Sequence, residues 1–326
     1  MATSILRMRT LHASRQARCF STTRRQYAAE VKQLGVIGAG QMVAVPHVPN
    51  GLGIALVAAQ RANVPVTIVD ASDKALSKGL AFADKLLAKD VAKERITKDQ
   101  ATEIRARLTG STKIEDLASV DFVIEAVPEI PQLKFDIFAN LAKICPSHAI
   151  LATNTSSISI TKIAAATTTD PTDTSASSRV VSTHFMNPVP IQKGVEIISG
   201  LQTSKETLDT AVEFCKKMGK VASISADTPG FLANRILMPY INEAVICLET
   251  QVGDRDSIDA IMKNGTNVPM GPLQLADFIG LDTCLSIMKV LYNETGDSKY
   301  RPSVLLGRMV DAGWLGKKSG KGFYDY

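Results

Sequence analysis

QLGVIGAG, residues 33–40, is a short apolar run that ends in two glycines, Gly38 and Gly40. Such a run predicts a buried strand over Gln33–Gly38 that enters a tight turn. A second apolar run, Pro65–Asp70 (PVTIVD), predicts another buried strand and ends in an acid. A strand, a glycine turn, a helical segment, a second strand and an acid, in this order, are typical of the start of a dinucleotide-binding fingerprint.

The fingerprint is interrupted after its second glycine. The pattern G-x-G-x-x-G requires a glycine at position 43, where the sequence has Val43. Removing Val43–Asn50 (VAVPHVPN) joins GAGQM to GLGIAL and makes Gly51 the third glycine. We therefore interpret residues 43–50 as an insertion. Because Pro46 and Pro49 resist helix formation, we expect the helix to begin only near Gly51, displaced from the glycine turn. The alternative is a loop that bulges outward and keeps Met42 beside Gly51.

The residues of the fingerprint have distinct predicted roles. Gly38 makes the tight turn, Gly40 lets the backbone approach a pyrophosphate, and Gly51 lets the helix pack on the strand. The Asp70 carboxylate can accept a hydrogen bond from a ribose 2′-hydroxyl and would repel a 2′-phosphate, so the predicted cofactor is NAD. The alternatives are a plain glycine turn and an ordinary acid near the start of a helix.

Strand-like and helical segments alternate along the first two-thirds of the chain. Further strands are predicted over Asp121–Val127, Ala149–Thr153, Val180–Phe185 and Val195–Ile198. This alternation is typical of an α/β, Rossmann-like doubly wound, mostly parallel sheet. After Asp227 the patterning is helical. We therefore predict an NAD-binding domain over residues 28–226, followed by a smaller all-helical domain over residues 227–326.

The net charge of +5 is concentrated at the N-terminus. Residues 1–30 contain six arginines and one acid, Glu30, and the rest of the chain has equal numbers of basic and acidic residues. This distribution predicts no nucleic-acid partner. An arginine-rich, serine-rich and nearly acid-free start predicts a mitochondrial transit peptide over residues 1–27, and hence a matrix location, with a basic tail as the alternative.

Two other classes of site are not predicted. No segment has the roughly 18 consecutive apolar residues that a membrane-spanning helix needs. The five cysteines are scattered, with no Cys-x-x-Cys pair. We therefore expect no membrane span, no metal site and no disulfide framework.

Of the four histidines, His184 is the candidate for catalysis. His12 lies in the predicted transit peptide, His47 in the insertion and His148 in a predicted surface loop. His184 closes a buried strand (VVSTHF), and sites in open sheets lie at strand carboxyl ends. Glu196 lies on the next strand, and a carboxylate partner would fix the imidazole tautomer and raise its basicity, as a general base requires. An ordinary buried contact is the alternative.

Several longer motifs occur in order along the chain. They are NTSS (154–157), HFMNPVP (184–190), DTPGF (227–231) with Asn234-Arg235, PMGP (269–272) and GKGFY (320–324). With these motifs the chain resembles the 3-hydroxyacyl-CoA dehydrogenase family over about residues 33–326. The resemblance implies oxidation of (3S)-hydroxyacyl-CoA by NAD, in fatty-acid β-oxidation or butyrate-type metabolism, and a homodimer formed through the C-terminal helical domain.

The resemblance also implies roles for single residues. His184 would be the base and Glu196 its partner. Ser156 and Asn234 would hydrogen-bond the C3 oxygen of the acyl-CoA substrate and help to orient the base. The alternatives are a helix N-cap for Ser156 and a solvent-facing position for Asn234.

Two further residues, Glu129 and Lys134, match positions at which the family contacts the cofactor. Two other functions remain open at this point. One is a non-catalytic, crystallin-like or regulatory homologue that has lost NAD binding, which the interrupted loop favours and the complete catalytic set opposes. The other is a related dehydrogenase of free hydroxy acids or sugar acids, which the predicted transit peptide opposes.

Overall fold

The computed structural model describes residues 29–40 and 49–326. The predicted transit peptide over residues 1–27, and residues 43–48 of the predicted insertion, lie outside these ranges. None of the described helices is both long enough and apolar enough to span a membrane.

One eight-stranded sheet forms the first part of the molecule, in the order β3-β2-β1-β4-β5-β6-β7-β8. All neighbours pair in parallel except β6 and β7, which are antiparallel. The strands are β1 Leu34–Ile37, β2 Val66–Val69, β3 Leu108–Ser111, β4 Phe122–Glu125, β5 Ile150–Thr153, β6 Val180–Phe185, β7 Gly194–Ser199 and β8 Val221–Ala226. This architecture confirms the predicted Rossmann-like, mostly parallel sheet.

Helices cover both faces of the sheet and build a separate helical part after it. Six accompany the sheet: α1 Asn50–Val57, α2 Asp73–Ala92, α3 Lys98–Ala106, α4 Pro131–Ile144, α5 Ile160–Ala165 and α6 Lys205–Lys217. Five follow it: α7 Ala233–Glu249, α8 Arg255–Gly265, α9 Pro272–Ile279, α10 Leu281–Thr295 and α11 Val304–Asp311. The helical C-terminal domain is thereby confirmed, while its predicted limit at residue 227 stays a prediction.

The buried strands follow from their apolar runs. β1 is buried along its whole length, with Leu34 and Val36 in the core on one face and Ile37 in the core on the other. Both faces are covered, so the central strands are continuously apolar rather than alternating. The edge strands β3 and β8 were not predicted, because LTGS and VASISA contain no apolar run longer than two residues.

The helix after the glycine turn begins at Asn50, with Pro49 as its N-cap. A Cβ added to Gly51 would lie 1.9 Å from the Gly38 carbonyl oxygen, so the helix packs directly on the glycine turn. Gly38 has a φ of +104°, a conformation that glycine tolerates. The helix therefore begins close to where we predicted, but its expected displacement from the turn is wrong.

Candidate active site

A histidine and a glutamate face each other on the antiparallel pair of strands. His184 in β6 lies directly opposite Glu196 in β7. The His184 Nδ1 and Glu196 Oε2 atoms are 2.8 Å apart, and both residues are buried. A proton on Nδ1 in this hydrogen bond leaves Nε2 unprotonated, which is the form a general base needs.

The helical domain also holds Glu196. The backbone N–H groups of Leu232 and Ala233, at the start of α7, both donate to Glu196 Oε1 at 2.8 Å. Burial alone raises the pKa of Glu196, but the hydrogen bonds from His184 and from these amides outweigh it and lower the pKa. Glu196 is therefore a carboxylate at neutral pH, bound by both parts of the molecule.

Ser156 lies on the loop between β5 and α5, next to the histidine. Its Oγ atom is 3.1 Å from His184 Nε2, the nitrogen that faces away from Glu196. The N-cap of α5 is Ser159, whose side chain accepts the amide of Lys162, so the alternative reading of Ser156 as an N-cap does not hold. Ser156, His184 and Glu196 therefore form one continuous hydrogen-bonded chain.

Two residues of the DTPGF–NR segment lie beside this chain of hydrogen bonds. Asn234 is in the first turn of α7, half-buried and adjacent to Ala233, whose amide binds Glu196. The Phe231 ring packs edge-on against His184, with 5.9 Å between ring centroids. Phe231 has a φ of +48°, a conformation that costs energy in a residue with a side chain. The motif contained this residue, but no feature of the sequence assigned it a role.

The residues of the predicted cofactor site meet at the ends of β1 and β2. Asp70 Oδ2 accepts the amides of Ala39 and Gly40 at 2.8 and 3.1 Å, and Oδ1 accepts the Ser72 amide at 2.9 Å. A cavity of about 430 Å³ lies beside this turn, lined by residues that include Gly40, Pro49, Ser72, Lys78 and Phe82. An open cavity against a glycine turn and the start of a helix fits a dinucleotide.

The side chains of Glu129 and Lys134 differ in solvent exposure. The Glu129 side chain is 30% exposed, and its Oε1 atom accepts the amides of Ser156 and Ser157. Lys134 has no exposed surface, and its Nζ lies 2.7 Å from Glu125 Oε1. Lys134 is therefore buried and already paired with a carboxylate, and its predicted contact with the cofactor stays a prediction. Sequence reasoning missed Glu125, because none of the motifs includes this residue.

Among the described residues no cluster of histidine, cysteine or acidic side chains could hold a metal ion. The polar groups of the site are instead arranged for proton transfer, with a carboxylate-supported imidazole and a serine hydroxyl on its free nitrogen.

Both parts of the chain match models of known protein families. Residues 33–228 match the family model described as 3-hydroxyacyl-CoA dehydrogenase, NAD binding domain, and residues 230–326 match its C-terminal domain. A probable 3-hydroxybutyryl-CoA dehydrogenase from Bacillus subtilis is 49% identical, covering 91% of this chain and 98% of that protein. A 3-hydroxybutyryl-CoA dehydrogenase from Bradyrhizobium diazoefficiens is 47% identical, covering 92% of this chain and 97% of that protein.

A solved structure shows the same fold. The crystal structure of (S)-3-hydroxybutyryl-CoA dehydrogenase from Ralstonia eutropha has a TM-score of 0.84 and 43% identity, covering 91% of this chain and 99% of that one. All three relatives are bacterial proteins. The mitochondrial-matrix location predicted from the N-terminal composition is therefore wrong, because relatives of this similarity come from organisms that have no mitochondria.

Proposed function

Because the chain belongs to the 3-hydroxyacyl-CoA dehydrogenase family, as an NAD-dependent oxidoreductase, we propose that it oxidises (3S)-3-hydroxyacyl-CoA to 3-oxoacyl-CoA with His184 as general base. The observation that carries the assignment is the hydrogen-bonded chain Ser156–His184–Glu196. Fatty-acid β-oxidation or butyrate-type metabolism would use this reaction. A short acyl chain is the first substrate to test, since the relatives are named for 3-hydroxybutyryl-CoA.

The proposed proton transfer follows from the geometry. The C3 hydroxyl gives its proton to His184 Nε2, while NAD supplies the acceptor for the C3 hydride. Glu196 stabilises the imidazolium that forms, and it is already ionised for this role. Ser156 and Asn234 are proposed to hydrogen-bond the C3 oxygen. In the reverse direction, protonated His184 returns the proton to the 3-keto oxygen.

The binding of NAD is proposed to use the glycine turn and Asp70. Gly40 would lie against the pyrophosphate, with Gly38 making the turn and Gly51 packing the helix on it, and Asp70 would lie against the adenosine ribose. Glu129 is partly exposed beside Ser156, and its contact with the cofactor stays a proposal.

A homodimer through the helical domain is proposed as the assembly. Several large apolar side chains in this domain are exposed, among them Ile236, Ile261 and Val304, each about two-thirds exposed (64%, 66% and 64%). The proposal rests on the family resemblance together with these exposed side chains. Sedimentation equilibrium tests the proposal, and a monomeric protein at micromolar concentration would contradict it.

A non-catalytic homologue is the second candidate, because the insertion interrupts the cofactor loop. The two candidates differ in NADH binding and turnover. The test is to incubate the purified chain with NAD and (3S)-hydroxybutyryl-CoA and to follow NADH. Production of NADH supports the dehydrogenase, and no NADH together with no binding of NADH supports the non-catalytic protein. Oxidation of free 3-hydroxybutyrate but not of its CoA ester would instead indicate a dehydrogenase of free hydroxy acids.

Glu196→Gln is expected to lower turnover and to move the acid limb of its pH profile to lower pH. The substitution keeps the side-chain volume but removes the charge that stabilises the imidazolium of His184, which then forms only at lower pH. The measurement is kcat against pH at saturating substrate. An acid limb at the same pH as in the parent would argue against the pairing.

Asp70→Ser is expected to weaken NAD binding and to relax the rejection of NADP. Losing one charge-assisted hydrogen bond costs about 1.5–3 kcal/mol, which corresponds to a decrease in affinity of about tenfold to a hundredfold. The measurement is kcat/KM for each cofactor. Asp70 also holds the amides of Ala39 and Gly40, so thermal unfolding of the variant is the control for a loosened turn. Equal use of NAD and NADP by the parent would remove the basis of this assignment.

A further inference from the structure

A lysine and two glutamates form a buried charge cluster beside the active site. Lys134 and Glu125 have no exposed surface, and their Nζ and Oε1 atoms are 2.7 Å apart. Lys134 Nζ also lies 3.4 Å from Glu129 Oε2 and donates to the Val127 carbonyl at 3.2 Å. One ammonium therefore links two carboxylates, one of them inside the core and the other at the edge of the site.

The inner end of this cluster is fixed to the sheet. Glu125 is the last residue of β4, and its Oε1 also accepts the Val127 amide at 2.6 Å. Its Oε2 accepts the hydroxyl of Thr153, the last residue of β5, at 2.7 Å. Buried charges are tolerated when they are paired and their remaining hydrogen-bonding positions are filled, as they are here. Glu125 therefore holds Lys134 in a defined place.

The outer end of the cluster holds the loop that carries Ser156. Glu129 Oε1 accepts the Ser156 amide at 2.9 Å, the Ser157 amide and hydroxyl at 3.0 Å each, and the Thr155 hydroxyl. Burial raises the pKa of Glu129, but the charge of Lys134 and these hydrogen bonds outweigh it and lower the pKa. An ionised oxygen with four donors on three successive residues fixes the course of this turn.

We propose that Glu125 and Lys134 are positioning residues that hold Ser156 against His184 through Glu129. Lys134 fixes one oxygen of Glu129, and the other oxygen fixes the turn, which leaves the Ser156 Oγ 3.1 Å from His184 Nε2. The inference rests on the proposed function, in which Ser156 and His184 act at the C3 oxygen. It assigns Lys134 a role that needs no contact with the cofactor.

The first test measures geometry without turnover. In the ¹⁵N NMR spectrum of the full chain, the His184 ring signals are identified by their loss in His184→Gln. Lys134→Met is expected to shift the His184 Nε2 signal in the same direction as Ser156→Ala does. The matched control is Lys205→Met, which breaks the exposed ion pair with Asp209 and should leave the signal unchanged. An unchanged signal in Lys134→Met would overturn the proposal.

Lys134→Met leaves buried carboxylates without a counter-charge, and this can prevent folding. Two further variants therefore test the same proposal. The double variant Glu125→Gln/Lys134→Met removes one charge of each sign. Ser157→Ala removes one donor to Glu129 Oε1 and changes no buried charge. Both are expected to shift the His184 signal as Ser156→Ala does. A parental signal in the folded double variant would overturn the proposal, and thermal unfolding shows which of the variants are folded.

The second test is a double-mutant cycle on turnover. Lys134→Met, or the charge-balanced double variant, is expected to lower kcat at saturating NAD by about tenfold to a hundredfold, as misplacing an active-site group by up to about 1 Å does. In a Ser156→Ala background the same substitutions should cause no further loss, because their effect passes through that hydroxyl.

Two outcomes of the cycle would overturn the proposal. One is an equal loss of kcat with and without Ser156. The other is weaker NADH binding at parental kcat, which would indicate that Lys134 acts by contacting the cofactor. If the parent does not oxidise hydroxyacyl-CoA, the proposed function fails, and the NMR comparison still decides whether the cluster positions Ser156.

Discussion

His184→Gln is expected to lower the turnover of (3S)-hydroxybutyryl-CoA by about a hundredfold to ten-thousandfold, the usual contribution of a general base. Glutamine can still hydrogen-bond Glu196, but it cannot accept the hydroxyl proton. The affinity for NADH should change little, because the imidazole contacts Ser156, Glu196 and Phe231 rather than the glycine turn. The measurements are steady-state kcat and a fluorescence titration of NADH.

The matched control is His148→Gln. His148 is exposed, and its ring hydrogen-bonds Asp121 at 3.1 Å. Both residues lie at the amino ends of the strands, whereas His184 lies near a carboxyl end. This variant should keep parental turnover. If His184→Gln and His148→Gln oxidise the substrate at similar rates, His184 is not the base.

Removing Val43–Asn50 is expected to tighten NADH binding by about tenfold to a hundredfold. In the chain as it stands, Pro49 is the N-cap of α1 and has no amide hydrogen to offer a pyrophosphate. In the shortened chain Gln41 stands two residues before Gly51 and supplies that amide. One charge-assisted hydrogen bond is worth about 1.5–3 kcal/mol, which sets the size of the effect. The measurement is the NADH dissociation constant of both forms.

This effect is smaller than a displaced helix would cause. Gly51 already lies against Gly38, so the start of α1 keeps its place beside the turn. Gly51→Ala in the shortened chain is the control for that packing, because its Cβ would approach the Gly38 oxygen to 1.9 Å and the helix would have to move. It should weaken NADH binding again. Equal affinity of the long and short chains would show that the loop tolerates the extra residues.

The sequence determined most of the sheet and the pair of His184 and Glu196 on two neighbouring strands. The apolar run LGVI is buried along its whole length, because helices cover both faces of the sheet. Adjacent strands then brought His184 opposite Glu196, because a short connection between neighbouring strands limits how far apart two such residues can be. Motifs and family resemblance added the cofactor, and the comparisons confirmed it.

The mitochondrial location predicted from the N-terminal composition was wrong. An arginine-rich, acid-poor segment satisfies the rules for a targeting peptide whatever its origin, since composition carries no record of the compartment. The similarity to bacterial relatives supplied the correction.

Only the tertiary structure decided how the site is held. Glu196 Oε1 accepts the amides of Leu232 and Ala233 at the start of α7, 36 and 37 residues away. Ser156 contacts His184, which lies 28 residues further along the chain. Lys134 is likewise a buried partner of Glu125. Such contacts depend on how strands, loops and helices pack in three dimensions. The spacing of two residues along the chain does not determine the distance between their side chains in the folded protein. The sequence named the reacting groups, and packing determined which side chains support them.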